Sequence, residues 1–218
     1  MRISGVIIDL DGVLIDTESI SRMAWMRAAS EFGFEITDTF YEKIVGYSVL
    51  DARKEISALT NGRIDMECYM DRSAAIYYGE MHSNGVRVMP GVSELLEFLR
   101  QRGLKSAIAT STIQDQAEWK LKKSGLLGAI DDVITGDRAA KGKPAPDIFL
   151  IAAEQIGINP GECVVIEDAH AGIIGAKAAG MIPIMVPSNA GSTTASEELA
   201  YAVVPNLYGV IEILQDVV

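Results

Sequence analysis

The chain has 218 residues and 49% of them are apolar, so it is long enough for a core domain with a smaller companion. Its net charge of −11 disfavours a nucleic-acid partner, because phosphate backbones bind clustered Lys and Arg side chains. Cys68 and Cys163 fit no metal-ligand spacing and indicate a reducing compartment. Without a signal-peptide pattern or an apolar stretch that could cross a bilayer, we expect a soluble, cytoplasmic protein with no membrane partner.

Short apolar runs, separated by segments of helical length, recur along most of the chain. They cover about residues 5–8, 104–109, 133–134, 163–166 and 182–186. Such runs are typical of strands that are buried on both faces of a parallel sheet. Pro183 restricts the fifth run to the start of a strand or to an edge strand, since proline lacks an N–H donor.

The segments between these runs contain helix start and stop residues. Pro90 and Gly103 bracket one expected helix, and Pro146 and Gly157 bracket another. Strands that alternate with helices in this way predict an α/β fold with a doubly wound, Rossmann-like parallel sheet.

One dense run of basic residues, Lys120-Leu121-Lys122-Lys123, precedes Gly125. We expect it to form the last turn of a helix that ends at Gly125, where the helix dipole favours cations. A surface patch that follows a phosphate backbone is the less favoured alternative.

Residues 16–87 interrupt the alternation of strands and helices. Their pattern predicts helices near residues 17–32, 38–45, 49–59 and 65–81, and no strand. We therefore expect a small all-helical cap domain inserted after the first strand. Residues 1–15 and 88–218 would then form the α/β core.

Polar residues follow the predicted strands at the edge where ligands bind in an open α/β sheet. They are Asp9 and Asp11 after the first strand, Thr110, Ser111 and Thr112 after the second, Glu167 and Asp168 after the fourth, and Lys143 ahead of a helix. Acids this close would repel one another unless a cation lay among them, and oxygen ligands of this kind suit Mg²⁺. Each residue alone has an ordinary explanation as a turn, cap or surface residue, but the combination in this order is specific.

This combination is suited to phosphoryl transfer. One aspartate could attack phosphorus to give an aspartyl-phosphate, and a second carboxylate two residues later could protonate the leaving oxygen and then activate water. Hydroxyls and a lysine would bind the phosphoryl oxygens and offset their charge.

These motifs resemble those of the haloacid dehalogenase superfamily, and the β-phosphoglucomutase-like subgroup with its sugar phosphatases is most similar. The resemblance implies that Asp9, in Asp9-Leu10-Asp11-Gly12, is the nucleophile and that Asp11 is the general acid and base. It also implies that the metal is held by side chains of Asp9 and Asp168 and by the main-chain carbonyl of Asp11, with Glu167 acting directly or through water. The implied phosphate-binding residues are Thr110, Ser111 and Lys143.

Within this superfamily, the sequence favours a phosphatase over other activities. The founding dehalogenases lack the acid at the position of Asp11 and use no metal, so Asp11 and Asp168 indicate phosphoryl transfer. Ser21 occupies the position of a histidine that assists proton transfer in the mutases. The prediction is therefore a magnesium-dependent phosphatase for a small phosphorylated metabolite, with a sugar phosphate as the expected class.

Two alternatives remain open on the sequence. The first is a sugar-phosphate mutase of the β-phosphoglucomutase type. The second is a signalling receiver domain, which also places carboxylates, Mg²⁺ and a lysine at strand ends, although receivers are shorter and lack a helical insertion.

The expected cap offers three candidate residues for substrate selection, Glu18, Gly46 and Arg53. The alternative for each is ordinary helix-surface or turn chemistry. His170 is expected in the first turn of a helix and not on the metal. The oligomeric state is not encoded in any pattern we recognise, and a monomer is compatible with the sequence.

Overall fold

The computed structural model describes residues 3–44, 49–187 and 194–217. The chain divides into two compact units. The first contains residues 3–16, 87–187 and 194–217, and the second contains the described residues between 17 and 86. The predicted domain boundaries and the role of the second unit as a cap stay predictions.

The first unit contains a parallel sheet, which in the described part of the chain has six strands. The strands are β1 Gly5–Ile8, β2 Lys105–Ala109, β3 Asp132–Ile134, β4 Cys163–Glu167, β5 Ile182–Met185 and β6 Ala202–Val203. Their order is β3-β2-β1-β4-β5-β6, and every neighbouring pair is parallel. The predicted α/β fold with a parallel sheet is therefore confirmed.

The strand order reverses at the centre of the sheet. From β1 the chain proceeds outward to β2 and β3, and then returns to the other side of β1 with β4, β5 and β6. Side chains of β1 and β4 are buried along their whole length, as expected for central strands. The carboxyl ends of β1 and β4 thus form the switch point at which open α/β sheets bind ligands.

The fifth strand is not an edge strand, contrary to one of the two expectations for Pro183. Pro183 is the second residue of β5, which satisfies the other expectation. The short strand β6 pairs with β5 on its outer side, and the Tyr201 N–H donates to the Pro183 carbonyl at 2.8 Å. A proline retains its carbonyl acceptor, so it is compatible with this pairing.

The described residues of the second unit form helices joined by turns and loops, with no strand among them. Its helices are α1 Glu18–Glu31, α2 Asp38–Ile44, α3 Val49–Leu59 and α4 Met66–Asn84. Tyr69 is the fully buried centre of their core, where it contacts the rings of Trp25, Phe32 and Phe34 and donates its hydroxyl to the Trp25 carbonyl at 3.1 Å. The Asp65 side chain caps α4 by accepting hydrogen bonds from the N–H groups of Glu67 and Cys68.

The remaining helices belong to the first unit. They are α5 Val92–Arg102, α6 Gln114–Ser124, α7 Asp147–Ile156, α8 His170–Ala178, α9 Thr194–Leu199 and α10 Leu207–Val217. Gly103 and Gly157 end α5 and α7 in the left-handed conformation, which confirms both predicted helix ends. Among the described residues, none of these or the earlier helices has the length and apolar character required to span a membrane.

Candidate active site

The chain makes a tight turn directly after β1, and this turn positions Asp9. The Asp9 N–H continues the sheet by donating to the Ile166 carbonyl at 2.9 Å. Gly12 then adopts a φ of 85°, which favours glycine. A Cβ atom on Gly12 would lie 2.1 Å from Oδ2 of Asp168. Glycine at this position therefore allows the turn and Asp168 to lie against each other.

Asp9, Glu167 and Asp168 form a buried acidic cluster. Ile8 and Ile166 are partners across β1 and β4, so the acids that follow them lie side by side. Each of the three side chains offers one oxygen, and these oxygens lie within 4.8 Å of one another. All three residues are less than a tenth exposed. A compact set of carboxylate oxygens with no nitrogen or sulfur donor fits a hard cation such as Mg²⁺.

Lys143 connects the ends of three strands. It precedes α7 and its side chain is 7% exposed. Its Nζ donates to Asp9 Oδ1 at 2.5 Å, to the Ala109 carbonyl at 2.9 Å and to Glu167 Oε1. The Phe149 ring packs 5.1 Å from the same ammonium group. The sequence predicted that Lys143 lies close to Asp9 and Glu167, and the structure brings the three residues together.

Burial dominates the electrostatics of this cluster. It raises the pKa of Asp9 to about 7; the Lys143 ammonium acts in the opposite direction, and the nearby Glu167 carboxylate adds to the increase. Burial alone would lower the pKa of Lys143, but Asp9 and Glu167 hold it above its ordinary value. The cluster thus combines three acids with one cation and is left with excess negative charge that a divalent cation would neutralise.

Glu167 lies against the start of α8. Its Oε2 accepts hydrogen bonds from the N–H groups of Asp168 and Ala169 at 3.1 and 3.2 Å. A Cβ atom on Gly172 would lie 2.0 Å from the Glu167 carboxyl group. The first turn of α8 therefore fixes this carboxylate by contact as well as by hydrogen bonds.

The predicted phosphate-binding hydroxyls follow β2, at the same edge of the sheet. Thr110 is buried, its N–H donates to the Ile134 carbonyl at 3.0 Å, and its Oγ1 accepts from the Thr112 N–H at 3.1 Å. Ser111 is exposed. The residue that caps α6 is Ile113, without a side-chain hydrogen bond, so Thr110 is not explained as a helix cap. Their binding of phosphate stays a prediction.

Asp11 is held by two donors that the sequence did not indicate. Lys120 Nζ donates to Asp11 Oδ1 at 2.6 Å, and Thr112 Oγ1 donates to Asp11 Oδ2 at 2.7 Å. Lys120 was predicted to lie in the last helical turn, where it would suit the helix dipole, but it precedes that turn and is 5% exposed, so this part of the prediction is wrong. The helix itself was predicted correctly, and Lys122 and Lys123 are its last-turn cations.

The helical period of the sequence could have identified Lys120 as a residue on the buried face of α6. Residues 117, 120, 121 and 124 share one face of α6, and Ala117 and Leu121 on that face are buried. A lysine on an apolar face needs an acidic partner, whereas Lys122 and Lys123 point to the exposed side.

Two of the three candidate specificity residues, Glu18 and Arg53, belong to the second unit. Glu18 begins α1 and accepts a hydrogen bond of 3.5 Å from the Tyr41 hydroxyl. Arg53 is partly buried in α3 and lines an open surface groove together with Lys54, Ser57, Ala58, Asn61 and Met66. Gly46 lies outside the described residues. The role of these residues in substrate selection stays a prediction.

Comparison with known proteins identifies a family for the chain. The family profile described as haloacid dehalogenase-like hydrolase matches residues 6–186. The phosphorylated carbohydrates phosphatase of Thermotoga maritima is 32% identical over 183 residues, which cover 81% of each chain. Hexitol phosphatase A of Escherichia coli is 30% identical over 200 residues, which cover 90% of this chain and 89% of that protein.

Solved structures agree with this grouping. A β-phosphoglucomutase from Clostridium difficile superposes with a TM-score of 0.76 at 26% identity, over 99% of this chain and 96% of that one. The predicted resemblance is therefore confirmed at the level of superfamily and subgroup. The family match also removes the receiver-domain alternative.

Proposed function

This chain belongs to the haloacid dehalogenase-like hydrolase family, and we propose that it is a magnesium-dependent phosphatase that hydrolyses a small phosphorylated metabolite through an aspartyl-phosphate on Asp9. The observation that supports the proposal is the buried cluster of Asp9, Glu167 and Asp168 with Lys143 at the switch point of the sheet. The enzyme class is phosphoric monoester hydrolase, in agreement with the phosphatase names of its relatives. Those names favour a sugar phosphate or a related phosphorylated polyol as substrate.

The metal would be held by Asp9, Glu167 and Asp168. Bound there, Mg²⁺ would keep the buried acids ionised together and offset the charge of the phosphoryl group. Lys143 has the same effect as the metal, because its ammonium group neutralises part of the negative charge of Asp9 and Glu167.

The reaction has two halves. A carboxylate oxygen of Asp9 bonds to phosphorus, the bond from phosphorus to the leaving oxygen breaks, and Asp11 gives its proton to that oxygen. Asp11 then takes a proton from water, whose oxygen bonds to phosphorus as the bond to Asp9 breaks. The products are an alcohol and inorganic phosphate, and both aspartates return to their starting states.

The phosphoryl oxygens would be bound by Thr110, Ser111 and Lys143. Thr110 and Lys143 are rigidly placed, since Thr110 is hydrogen-bonded to its neighbours and Lys143 is anchored to the Ala109 carbonyl. Preorganised donors of this kind stabilise the charge that develops in a phosphoryl-transfer transition state.

The second candidate function is a sugar-phosphate mutase, because the β-phosphoglucomutase of Clostridium difficile shares this fold. Ser21 argues against it, since a serine cannot perform the proton transfer of the histidine that mutases carry at this position. Isomerised sugar phosphate in place of free phosphate would identify the mutase.

The test is a panel of phosphorylated sugars, polyols, sugar acids and nucleotides, with released phosphate measured at fixed Mg²⁺. We expect turnover of a subset of the panel by the wild type and none above background by Asp9→Asn, because an amide does not attack phosphorus. Asp115→Asn, a change of an exposed aspartate in α6, is the matched control and should leave turnover unchanged. Substantial turnover by folded Asp9→Asn would refute the assignment of the nucleophile.

A further inference from the structure

Lys120 is a charged residue buried in an apolar setting. It is 5% exposed and lies on the face of α6 that also contains Ala117 and Leu121. An ammonium group removed from water is costly unless it is paired and hydrogen-bonded. Packing alone does not explain a lysine at this position, since an apolar side chain would fill the same space without the free-energy cost of burying a charge.

The polar contacts of Lys120 lead to the predicted general acid and base. Its Nζ lies 2.6 Å from Asp11 Oδ1 and 3.3 Å from Thr112 Oγ1, and Thr112 Oγ1 donates to Asp11 Oδ2 at 2.7 Å. The three side chains form a closed triangle in which each carboxylate oxygen of Asp11 has its own donor. We define this arrangement as the Asp11 clamp.

The Asp11 clamp constrains orientation while leaving Asp11 accessible. The side chain of Asp11 is 26% exposed, whereas that of Lys120 is 6% exposed. Lys120 is thus almost fully removed from solvent, whereas a quarter of the Asp11 side chain stays accessible. Each carboxylate oxygen has two lone pairs, so an oxygen that accepts one hydrogen bond can still exchange a proton.

The clamp also joins separate parts of the site. Asp11 belongs to the turn after β1, Thr112 to the segment after β2, and Lys120 to the middle of α6. Lys143 makes the corresponding contact with Asp9 from the segment before α7. Each of the two aspartates after β1 is therefore paired with its own buried lysine, 2.5 Å away for Asp9 and 2.6 Å away for Asp11.

We infer that Lys120 is a positioning residue, which through the Asp11 clamp holds the Asp11 carboxylate in the orientation needed to protonate the leaving oxygen and to activate water. The inference rests on the proposed function, because it assigns to Asp11 the proton transfers of the phosphatase reaction. General acid–base groups must lie within hydrogen-bond reach of the proton that they transfer, so a loss of orientation lowers the rate.

The test is a double-mutant cycle between Lys120→Met and Asp11→Asn in the full-length enzyme. With an alkyl phosphate as substrate, Lys120→Met should lower kcat by about tenfold to a hundredfold with little change in KM. This is a part of the roughly hundredfold to ten-thousandfold that general acid–base catalysis contributes, as expected when the acid is misplaced but still present. In the Asp11→Asn background the same change should lower kcat less than about twofold, since residues that act as a unit are not additive. Lys120→Arg should restore part of the loss.

Lys122→Met is the matched control, because Lys122 lies on the same helix but is exposed. It should leave kcat unchanged. Thermal unfolding of each variant shows whether it is folded. Should Lys120→Met not fold, Thr112→Val tests the same clamp, since it removes the donor to Oδ2 of Asp11 without emptying the space around Lys120.

Two results overturn the inference. The first is a double variant whose loss of kcat equals the product of the two single losses, for Lys120→Met or Thr112→Val combined with Asp11→Asn. Such independence would mean that the role of the residue is purely structural and does not act through Asp11. The second is an unchanged kcat in both folded single variants. Failure of the proposed function would differ from either result, because the wild type would then release no phosphate or Asp9→Asn would retain activity.

Discussion

At the scale of single residues, Gly172 limits what can occupy the space beside Glu167. A Cβ atom at this position in the first turn of α8 would lie 2.0 Å from the Glu167 carboxyl group. Gly172→Ala should therefore displace that carboxylate and lower kcat and the affinity for Mg²⁺, each by about tenfold to a hundredfold, as expected for residues that orient a metal ligand. Steady-state kinetics over a range of Mg²⁺ concentrations measures both effects.

Gly161→Ala serves as the control, since no atom lies within 4 Å of the Cβ that it would add. It should match the wild type in both quantities. A Gly172→Ala enzyme with wild-type kcat and Mg²⁺ affinity would contradict the steric role.

The proton transfers assigned to Asp11 predict a dependence on the leaving group. A nitrophenyl ester needs little protonation, so Asp11→Asn should form phosphoenzyme from it comparatively well and then release phosphate slowly, because no base activates water. Turnover should fall by about a hundredfold or more. Mass spectrometry should detect phosphorylated Asp9 accumulating in this variant. Equal and small losses with nitrophenyl and alkyl phosphates would argue against the role.

At the scale of elements, the sequence predicts best those strands and helix ends that are determined by neighbouring residues along the chain. The central strands β1 and β4 are buried along their whole length, so their side chains read as continuous apolar runs. The ends of α5 and α7 were predicted because Gly103 and Gly157 adopt a left-handed conformation that other residues avoid. Such properties depend on the chain alone, and they place Asp9 and Glu167 at the carboxyl ends of predicted strands. The pairing of β1 with β4, which brings the two acids side by side, is a finding of the structure.

The elements that the sequence did not predict depend on long-range pairing. Strand β6 has two residues, Ala202 and Val203, which are too few to form an apolar pattern, and it exists because β5 offers it a partner. Lys120 belongs to a basic run along the chain, but its environment is set by the face of α6 and by Asp11, 109 residues away. Charged residues that are close in sequence can therefore lie on different faces of a helix, one buried and the others exposed.

The packing of α7 on α8 gives a prediction about stability. A Cβ atom on Gly175 of α8 would lie 2.9 Å from the Phe149 ring of α7 and 3.1 Å from the Ala145 carbonyl oxygen. Gly175→Ala should therefore lower the free energy of unfolding by about 1–3 kcal/mol, as overpacking of a core does. Urea denaturation measures the change.

Gly79→Ala is the contrasting variant. Gly79 is an exposed helical glycine of α4 with no atom within 4 Å of an added Cβ. Alanine should be neutral or raise the free energy of unfolding by up to about 1 kcal/mol through its helix propensity. If both variants were equally stable, contact with Phe149 would not limit the size of residue 175.

At the scale of the whole molecule, a bound cation should stabilise the folded enzyme. Three buried acids and one lysine leave excess negative charge at the switch point, and only the folded chain holds these acids together. Mg²⁺ at a hundred times its Kd should add about 2.7 kcal/mol to the free energy of unfolding. Thermal unfolding should show a higher Tm with Mg²⁺, and activity lost in chelator should return when Mg²⁺ is restored.

Two comparisons sharpen this prediction. Asp168→Asn should show a much smaller rise in Tm, because it removes one carboxylate of the cluster. Ca²⁺ should support turnover poorly, since its higher and looser coordination misplaces the nucleophile. Full activity in chelator together with an unchanged Tm would contradict a magnesium site.

The two segments that connect the units lie side by side. The Asp16 N–H donates to the Arg87 carbonyl at 2.9 Å, and Ile15 and Val88 form an antiparallel bridge. The helical unit has its own core around Tyr69, so it can vary in sequence without disturbing the sheet. We propose on this basis that the helical unit selects the substrate and the sheet unit performs the chemistry.

This division of labour predicts different responses to substitution in the two units. Glu18→Gln and Arg53→Met should change the ranking of substrates across the panel of phosphorylated metabolites, while hydrolysis of a small nitrophenyl ester should change less than about threefold, because that ester offers few groups to recognise. Thr110→Val and Lys143→Met should lower the turnover of every substrate by a similar factor, since all of them present the same phosphate.

Arg27→Met, a change of an exposed arginine in α1, is the control for loss of a cation from the helical unit and should leave the ranking unchanged. The comparison separates recognition from catalysis because the substrates share a phosphate and differ only in the group that it esterifies. Uniform losses from Glu18→Gln and Arg53→Met, indistinguishable from those of Thr110→Val, would mean that the helical unit does not select substrates through these residues.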